Sequence, residues 1–133
     1  MKKMISLRKF EPKTAKAGEE VDRKKELRDK IQEKYTDLSD FRQAFREKEK
    51  HSIYVKFHFL EDTGVEGRTK KDLDNLLKIV CDVLPDYMDN NMTEQGLRII
   101  KTDNSIFEIH STKDTVIHED DEGLDIEISE YVN

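Results

Sequence analysis

Two carboxylates, Asp72 and Asp74, lie two positions apart just before an apolar stretch of the chain. In an extended segment, side chains at that spacing point the same way and could converge. Carboxylates so close together repel each other at neutral pH unless a cation lies between them. Mg²⁺ prefers such oxygens, usually binds through one or two of them, and completes its shell with water and phosphate oxygens. The pair therefore suggests a Mg²⁺ site that acts on phosphate, in which Mn²⁺ could substitute.

Two further residues, Asp103 and Lys78, could complete that chemistry. Asp103 falls in a turn between two strand-like stretches, where the neighbouring sheet position could bring it in. Three carboxylates can hold one or two Mg²⁺ ions, which polarise a phosphodiester, activate a water and stabilise the leaving oxygen. Lys78 could pair with Asp74 along a helix or face the scissile phosphate. Taken alone, the acid pair is explained more simply by capping of a helix N-terminus.

The elements that would position these residues predict an α+β fold. Behind the acid pair, apolar residues recur every three or four positions and predict a helix that ends at Pro85. Residues 53–59 alternate apolar and polar, which predicts a half-buried strand. Further strands are predicted at residues 4–10, 98–101, 106–110 and 123–131, a polar loop at 86–97, and a helix from 22 to about 50, interrupted at Ser39–Asp40. We expect one small domain over residues 1–133, with a mixed sheet packed by helices and an acidic segment, 114–133, that could form an edge strand.

Charge is distributed unevenly along the chain. The formal net charge is −6, yet residues 1–60 carry 17 basic and 11 acidic side chains, and residues 114–133 carry 8 acidic and no basic ones. A basic front and an acidic end are compatible with a phosphate-binding face followed by a solvated acidic tail. The basic residues nearest the acid pair are Arg68, Lys70 and Lys71, which could hold a nucleic-acid backbone or only solubilise a turn.

Composition also limits the compartment that we expect. The single cysteine, Cys81, lies in an apolar stretch, which fits a packing role and a reducing environment. The N-terminal residues lack the long apolar core of a signal peptide. No stretch approaches 18 uncharged apolar residues, so we expect a cytoplasmic protein with no membrane partner.

Taken together, these motifs make the sequence over roughly residues 53–113 resemble the RusA-type Holliday junction resolvases. The resemblance rests on Lys71-Asp72-Leu73-Asp74-Asn75-Leu76-Leu77-Lys78, then Asp82-Val83-Leu84, then Asp103-Asn104-Ser105-Ile106-Phe107-Glu108-Ile109 and Lys113. The chain departs from the family pattern at Thr102, where the family usually has the first aspartate of a later acidic pair.

The resemblance implies a RusA-like α+β domain that acts as a homodimer. It implies Mg²⁺-dependent cleavage of two opposed strands of a four-way DNA junction, in recombination and repair. Position by position, it implies metal binding by Asp72, Asp74 and Asp103, catalysis by Lys78, and a place for Asn75 beside the acids, where we count it among the DNA-contacting residues. Two symmetric incisions need two active sites, which a C2 dimer supplies most simply.

Two other functions are consistent with the same residues. A non-catalytic nucleic-acid-binding or regulatory module could keep the RusA-like fold, and Thr102 and the negative net charge favour it. An acidic interaction protein would have no nucleic-acid partner at all. Junction binding in Ca²⁺ and junction cleavage in Mg²⁺ distinguish the three hypotheses.

Overall fold

Four strands form one mixed β-sheet, and three α-helices pack against one face of it, in the part of the chain that the structure describes. The structure is a computed structural model that describes residues 1–61 and 71–132, so the predicted DNA contacts Arg68 and Lys70 lie outside the described residues. The elements in chain order are β1 (Lys2–Arg8), α1 (Glu20–Lys34), α2 (Ser39–Phe45), β2 (His51–Leu60), α3 (Leu73–Val83), β3 (Ile106–Val116) and β4 (Gly123–Glu130). The small α+β domain expected from the sequence is confirmed at this level.

The strands lie side by side in the order β1-β4-β2-β3. β4 is antiparallel to both β1 and β2, whereas β2 and β3 are parallel. A parallel pair needs a long connection, and here α3 provides it, so that β2, α3 and β3 make one β-α-β unit. Because α3 must run back along the sheet, its first residues lie at the end of the sheet where β2 finishes.

One hydrophobic core joins the sheet to all three helices. The alternation predicted in β2 is confirmed: Ile53, Val55, Phe57 and Phe59 are all at most 1% exposed. From the other side, α1 buries Leu27 and Ile31 and α3 buries Leu76, Ile79, Val80 and Val83. The spacing of three and four residues that predicted these helices therefore marks the faces that they bury.

The C-terminal strand occupies an interior position of the sheet. Segment 114–133 was a candidate edge strand, but β4 pairs with β1 on one side and with β2 on the other, so that prediction is wrong. Close approach at its first residue requires glycine: a Cβ on Gly123 would lie 1.8 Å from the carbonyl oxygen of Leu7. In keeping with this interior position, its apolar residues Leu124, Ile126 and Ile128 all belong to the buried core.

The segment between α3 and β3 differs from its prediction in one respect. Residues 98–101 do not form a strand; instead, Ile99 and Ile100 are fully buried against the end of α3. The N–H groups of Leu97 and Ile99 donate to the carbonyl oxygens of Val83 and Leu84 at 2.8 and 2.9 Å. These bonds use the backbone groups that a strand partner would need, so burial here comes without a β-ladder.

The sheet face opposite the helices has no helix packed on it among the described residues. We call it the open face; it carries the even-numbered side chains of β1, β2 and of β3 from Glu108 onward, and the odd-numbered ones of β4. It is largely polar, and its most exposed apolar side chains are Met4 at 49% and Tyr54 at 45%. The ring of Tyr54 stacks on that of His110 with a centroid distance of 5.3 Å.

Candidate metal and phosphate site

The acid pair lies at the N-terminus of α3. Asp72 is the N-cap residue, with extended backbone geometry, and its Oδ1 accepts the N–H of Asp74 at 2.9 Å. Both side chains are exposed, while Leu76 and Val80 on the opposite side of the helix are buried. The apolar face of α3 thus fixes the helix on the sheet and leaves two carboxylates facing solvent at its start.

β3 brings a lysine to the same end of the molecule. Lys113 donates from Nζ to the carbonyl oxygen of Lys71 at 3.0 Å, one residue before the helix cap. This places an ammonium group beside the backbone that carries the acid pair. Lys113 is part of the sequence resemblance, but only the parallel pairing of β3 with β2 shows which end of α3 it reaches.

Lys71, predicted to contact DNA, is engaged within the protein. Its Nζ donates to Glu11 Oε2 and to the carbonyl oxygen of Pro12, both at 2.6 Å, and lies 5.4 Å from the centroid of the Phe59 ring. Its side chain is only 16% exposed. The observed role of Lys71 is therefore to hold the segment before α1 against the start of α3, and its contact with DNA stays a prediction.

Lys78 and Asn75 lie on the side of α3 that faces α1. Both are exposed, and they line a shallow depression together with Lys24 and Asp82, whose charged groups pair at 3.2 Å. Lys78 makes no ion pair with any described residue. Its ammonium is thus available to an anion one helical turn beyond Asp74.

Asp103 lies at the other end of the sheet from the acid pair, because β3 begins beside His51 at the start of β2, whereas α3 begins where β2 finishes. It opens a short 3-10 turn before β3, which Thr102 caps by accepting the N–H of Asn104 at 3.3 Å. Near the end of α3, burial, together with the negative charges of Asp82 and Asp103, raises the pKa of the Cys81 thiol to about 11. Cys81 is seven residues beyond Asp74, which is about 10 Å along a helix.

The structure therefore brings Asp72 and Asp74 together and leaves Asp103 apart from them. Among residues 1–61 and 71–132, no three His, Cys, Asp or Glu side chains are arranged as a metal site. Within one chain, this separation does not fit a single ion shared by all three aspartates. The exposed pair by itself fits Mg²⁺, because this ion commonly takes one or two carboxylates and fills its remaining positions with water and phosphate oxygens.

Sequence reasoning did not identify a second acidic centre, on the open face. Asp125 on β4 accepts hydrogen bonds from Ser6 Oγ at 2.8 Å, from Arg8 at 2.9 Å and from His58 Nε2 at 2.8 Å. Burial would raise the pKa of Asp125, but these hydrogen bonds and the charge of Arg8 lower it to about 2. Its donors come from two other strands, so no local spacing signals the cluster.

Comparisons with known proteins identify no relative. The chain matches no family model, and it has no significant similarity to any curated protein or solved structure.

Proposed function

We propose that the protein is a RusA-like, Mg²⁺-dependent endodeoxyribonuclease that cleaves branched DNA, with four-way junctions as its substrate. One observation carries the proposal: two exposed carboxylates stand at the start of the crossover helix of a β-α-β unit, and the next parallel strand supplies Lys113 to the same end. Exposed carboxylates can bind a hydrated cation while a neighbouring lysine binds a phosphate group. The resemblance over residues 53–113 supplies the substrate and the reaction.

In this mechanism, Asp72 and Asp74 hold the metal ion. The bound ion supplies Lewis-acid chemistry, polarising a phosphodiester and stabilising the leaving oxygen. Lys78 contacts a phosphate oxygen of the substrate from the next turn of α3, and Asn75 lies between them in sequence. Asp103 enters the proposal through the resemblance alone, as the third acid, and the homodimer is implied by the resemblance as well. The cytoplasmic location is proposed from the single cysteine and the lack of a long apolar stretch in the sequence.

A second candidate function is a non-catalytic nucleic-acid-binding module. It is favoured by the absence of a three-ligand group among the described side chains and by Thr102 in place of an acid. Such a module needs no metal for its activity and would bind junctions without cutting them.

The deciding experiment incubates purified protein with a labelled mobile four-way junction and Mg²⁺ or Mn²⁺. We expect paired, symmetric nicks in opposed strands, and we expect Ca²⁺ to support binding without cleavage. Intact junctions across a range of both metal concentrations, with binding retained, would favour the non-catalytic module. No binding at low salt in Ca²⁺ would favour an acidic interaction protein.

A further inference from the structure

We propose that the outer edge of β3 is a docking site for another protein, and that a basic, extended segment of that partner pairs with β3 as an added strand. The described sheet has two outer edges, formed by β1 and by β3. Their backbone groups are occupied in different ways, and this difference is independent of the nuclease proposal.

The β1 edge is closed by side chains of the chain itself. The N–H of Ser6 donates to the Tyr35 hydroxyl at 2.9 Å, and the carbonyl oxygen of Ser6 accepts from Lys34 Nζ at 2.7 Å. Both partners come from the end of α1. The strand also carries Lys2 and Lys3, and lysines on an edge strand discourage pairing with a further strand.

The β3 edge has no such closure in the part of the chain that the structure describes. β3 is the longest strand of the sheet, with 11 residues, and it bonds only to β2. Side chains 107–110 and 112–115 are all exposed, so the helices leave both faces of this strand accessible. A long edge of this kind presents a row of backbone groups with which another chain can pair.

A strand added at this edge would form main-chain hydrogen bonds along β3, and its side chains would alternate between the two faces of the sheet. Side chains directly across from each other on adjacent strands lie about 5 Å apart. The residues on each face of β3 therefore select the residues of the partner.

On the open face, β3 presents two acids, Glu108 and Asp114, and no lysine or arginine. Ser52 Oγ donates to Glu108 at 2.6 Å and His110 Nε2 donates to it at 3.2 Å; these hydrogen bonds lower the pKa of Glu108 and keep it ionised. Asp114 also lies 3.5 Å from His58 Nδ1, so Glu108 is the stronger anchor for a basic residue. Opposite charges across adjacent strands stabilise their pairing.

On the face toward the helices, β3 presents Ile109, which is 42% exposed. An apolar residue of the added strand would cover it. Because successive residues of a strand point to opposite faces, the partner segment alternates basic and apolar residues. The formal net charge of −6 on the whole chain likewise favours a basic partner over an acidic one.

Fluorescence anisotropy of a labelled peptide measures the binding to the whole chain. The probe has about eight residues, the length of an ordinary strand, and lysine alternates with valine along it. We expect saturable binding that weakens as salt is added. A control peptide of the same composition, with all of its lysines before its valines, should bind at least about tenfold more weakly, because it cannot match both faces of β3.

N-methylation of the peptide tests main-chain pairing. Methyl groups on alternate amides block one edge of a strand and leave its charge unchanged, so the lysine amides and the valine amides are methylated in two separate peptides. At least one of the two should lose binding by about tenfold. Amide hydrogen exchange should show protection of alternate amides of β3 when the unmodified peptide is added, with no change in β1.

Variants at Glu108 test the charge contact. Glu108→Gln removes the charge and keeps an acceptor for Ser52, so binding of the alternating peptide should weaken about threefold; Glu108→Lys should weaken it by about tenfold or more. Glu33→Lys, an exposed charge reversal on α1, is the control that should leave binding unchanged.

Several results would overturn the proposal: no binding up to about 1 mM peptide, equal binding of the control peptide or of both methylated peptides, or protection of β1 instead of β3. Protection of β3 that rises with protein concentration alone would also overturn it, because the occupant would then be a second copy of this chain. None of these experiments measures junction cleavage, so their failure is distinct from failure of the proposed function.

Discussion

The acid pair at α3 and the cluster around Asp125 are two carboxylate centres that the same fold treats in opposite ways. Asp125 accepts hydrogen bonds from Ser6, Arg8 and His58, and its side chain is 19% exposed. Asp72 accepts one backbone N–H, and Asp74 is exposed beside it. A carboxylate whose oxygens are taken by the protein stabilises the fold, whereas one left to solvent can accept a ligand. The contrast indicates a stabilising role for Asp125 and is consistent with the chemistry proposed for the pair.

The largest expected effect is the loss of junction cleavage when the acid pair is changed. Asp74→Asn removes one of the two carboxylates proposed to hold the metal, so junction cleavage should fall by about 100-fold or more. Junction binding in Ca²⁺ should remain, and the free energy of unfolding should not change. Asp40→Asn, which alters an exposed acid in the first turn of α2, is the matched control. Cleavage by the Asp74 variant at the wild-type rate would remove the acid pair from the mechanism.

The next largest expected effect is a loss of stability in Asp125→Asn. Loss of this carboxylate leaves Arg8 and His58 without their shared partner, so the free energy of unfolding should fall by about 1–3 kcal/mol. Urea denaturation followed by circular dichroism measures it. Glu127→Gln on the same strand is the control and should stay within about 0.5 kcal/mol of wild type. Equal stability of the two variants would mean that the Asp125 cluster contributes little.

The pH dependence of the unfolding free energy tests the stabilising role of Asp125 in a second way. The pKa of Asp125 is about 2 in the folded protein, below the usual value of about 3.9 for an unfolded chain. Its contribution is therefore complete above about pH 4 and is lost as the pH falls toward 2. The shift in this pKa corresponds to at most about 2.6 kcal/mol of unfolding free energy. Unfolding free energies from pH 5 to 2 should fall less steeply for Asp125→Asn than for wild type; parallel curves would contradict the assignment.

The smallest expected change in stability separates the two roles of Asp72, as a helix cap and as a proposed metal ligand. Asp72→Ala removes the cap and should cost about 1 kcal/mol of unfolding free energy. Asp72→Asn keeps a capping side chain and removes the charge, so stability should hold while Mg²⁺-dependent cleavage is lost. Urea denaturation and the junction assay on both variants check this. If Asp72→Asn cleaves normally, Asp72 is a cap alone.

Local pattern in the sequence predicted much of the fold and the start of the site. Alternation identified β2 because one face of that strand is buried throughout, and the spacing around Leu76 and Val80 identified α3 because its opposite face is exposed. The capping role of Asp72 follows from the same pattern. These features depend on neighbours within a few positions of the chain.

Features that depend on distant pairing could not be predicted in this way. Segment 123–131 has the apolar–acidic alternation of a half-exposed strand, and nothing in it shows that β1 and β2 will cover both of its edges. The partners of Asp125 are separated from it by 67 to 119 positions. The separation of Asp103 from Asp74 likewise depends on where β3 begins relative to α3.

The interior position of β4 has a consequence for the synthesis of this protein. In the described sheet, β1 bonds only to β4, so β1 leaves the ribosome well before the strand with which it pairs. Such long-range pairing slows folding, and an unpaired strand edge invites contact with other chains. A nascent chain that stops before Gly123 would therefore be a substrate for chaperones or proteases, and truncation from the C-terminus should abolish folding.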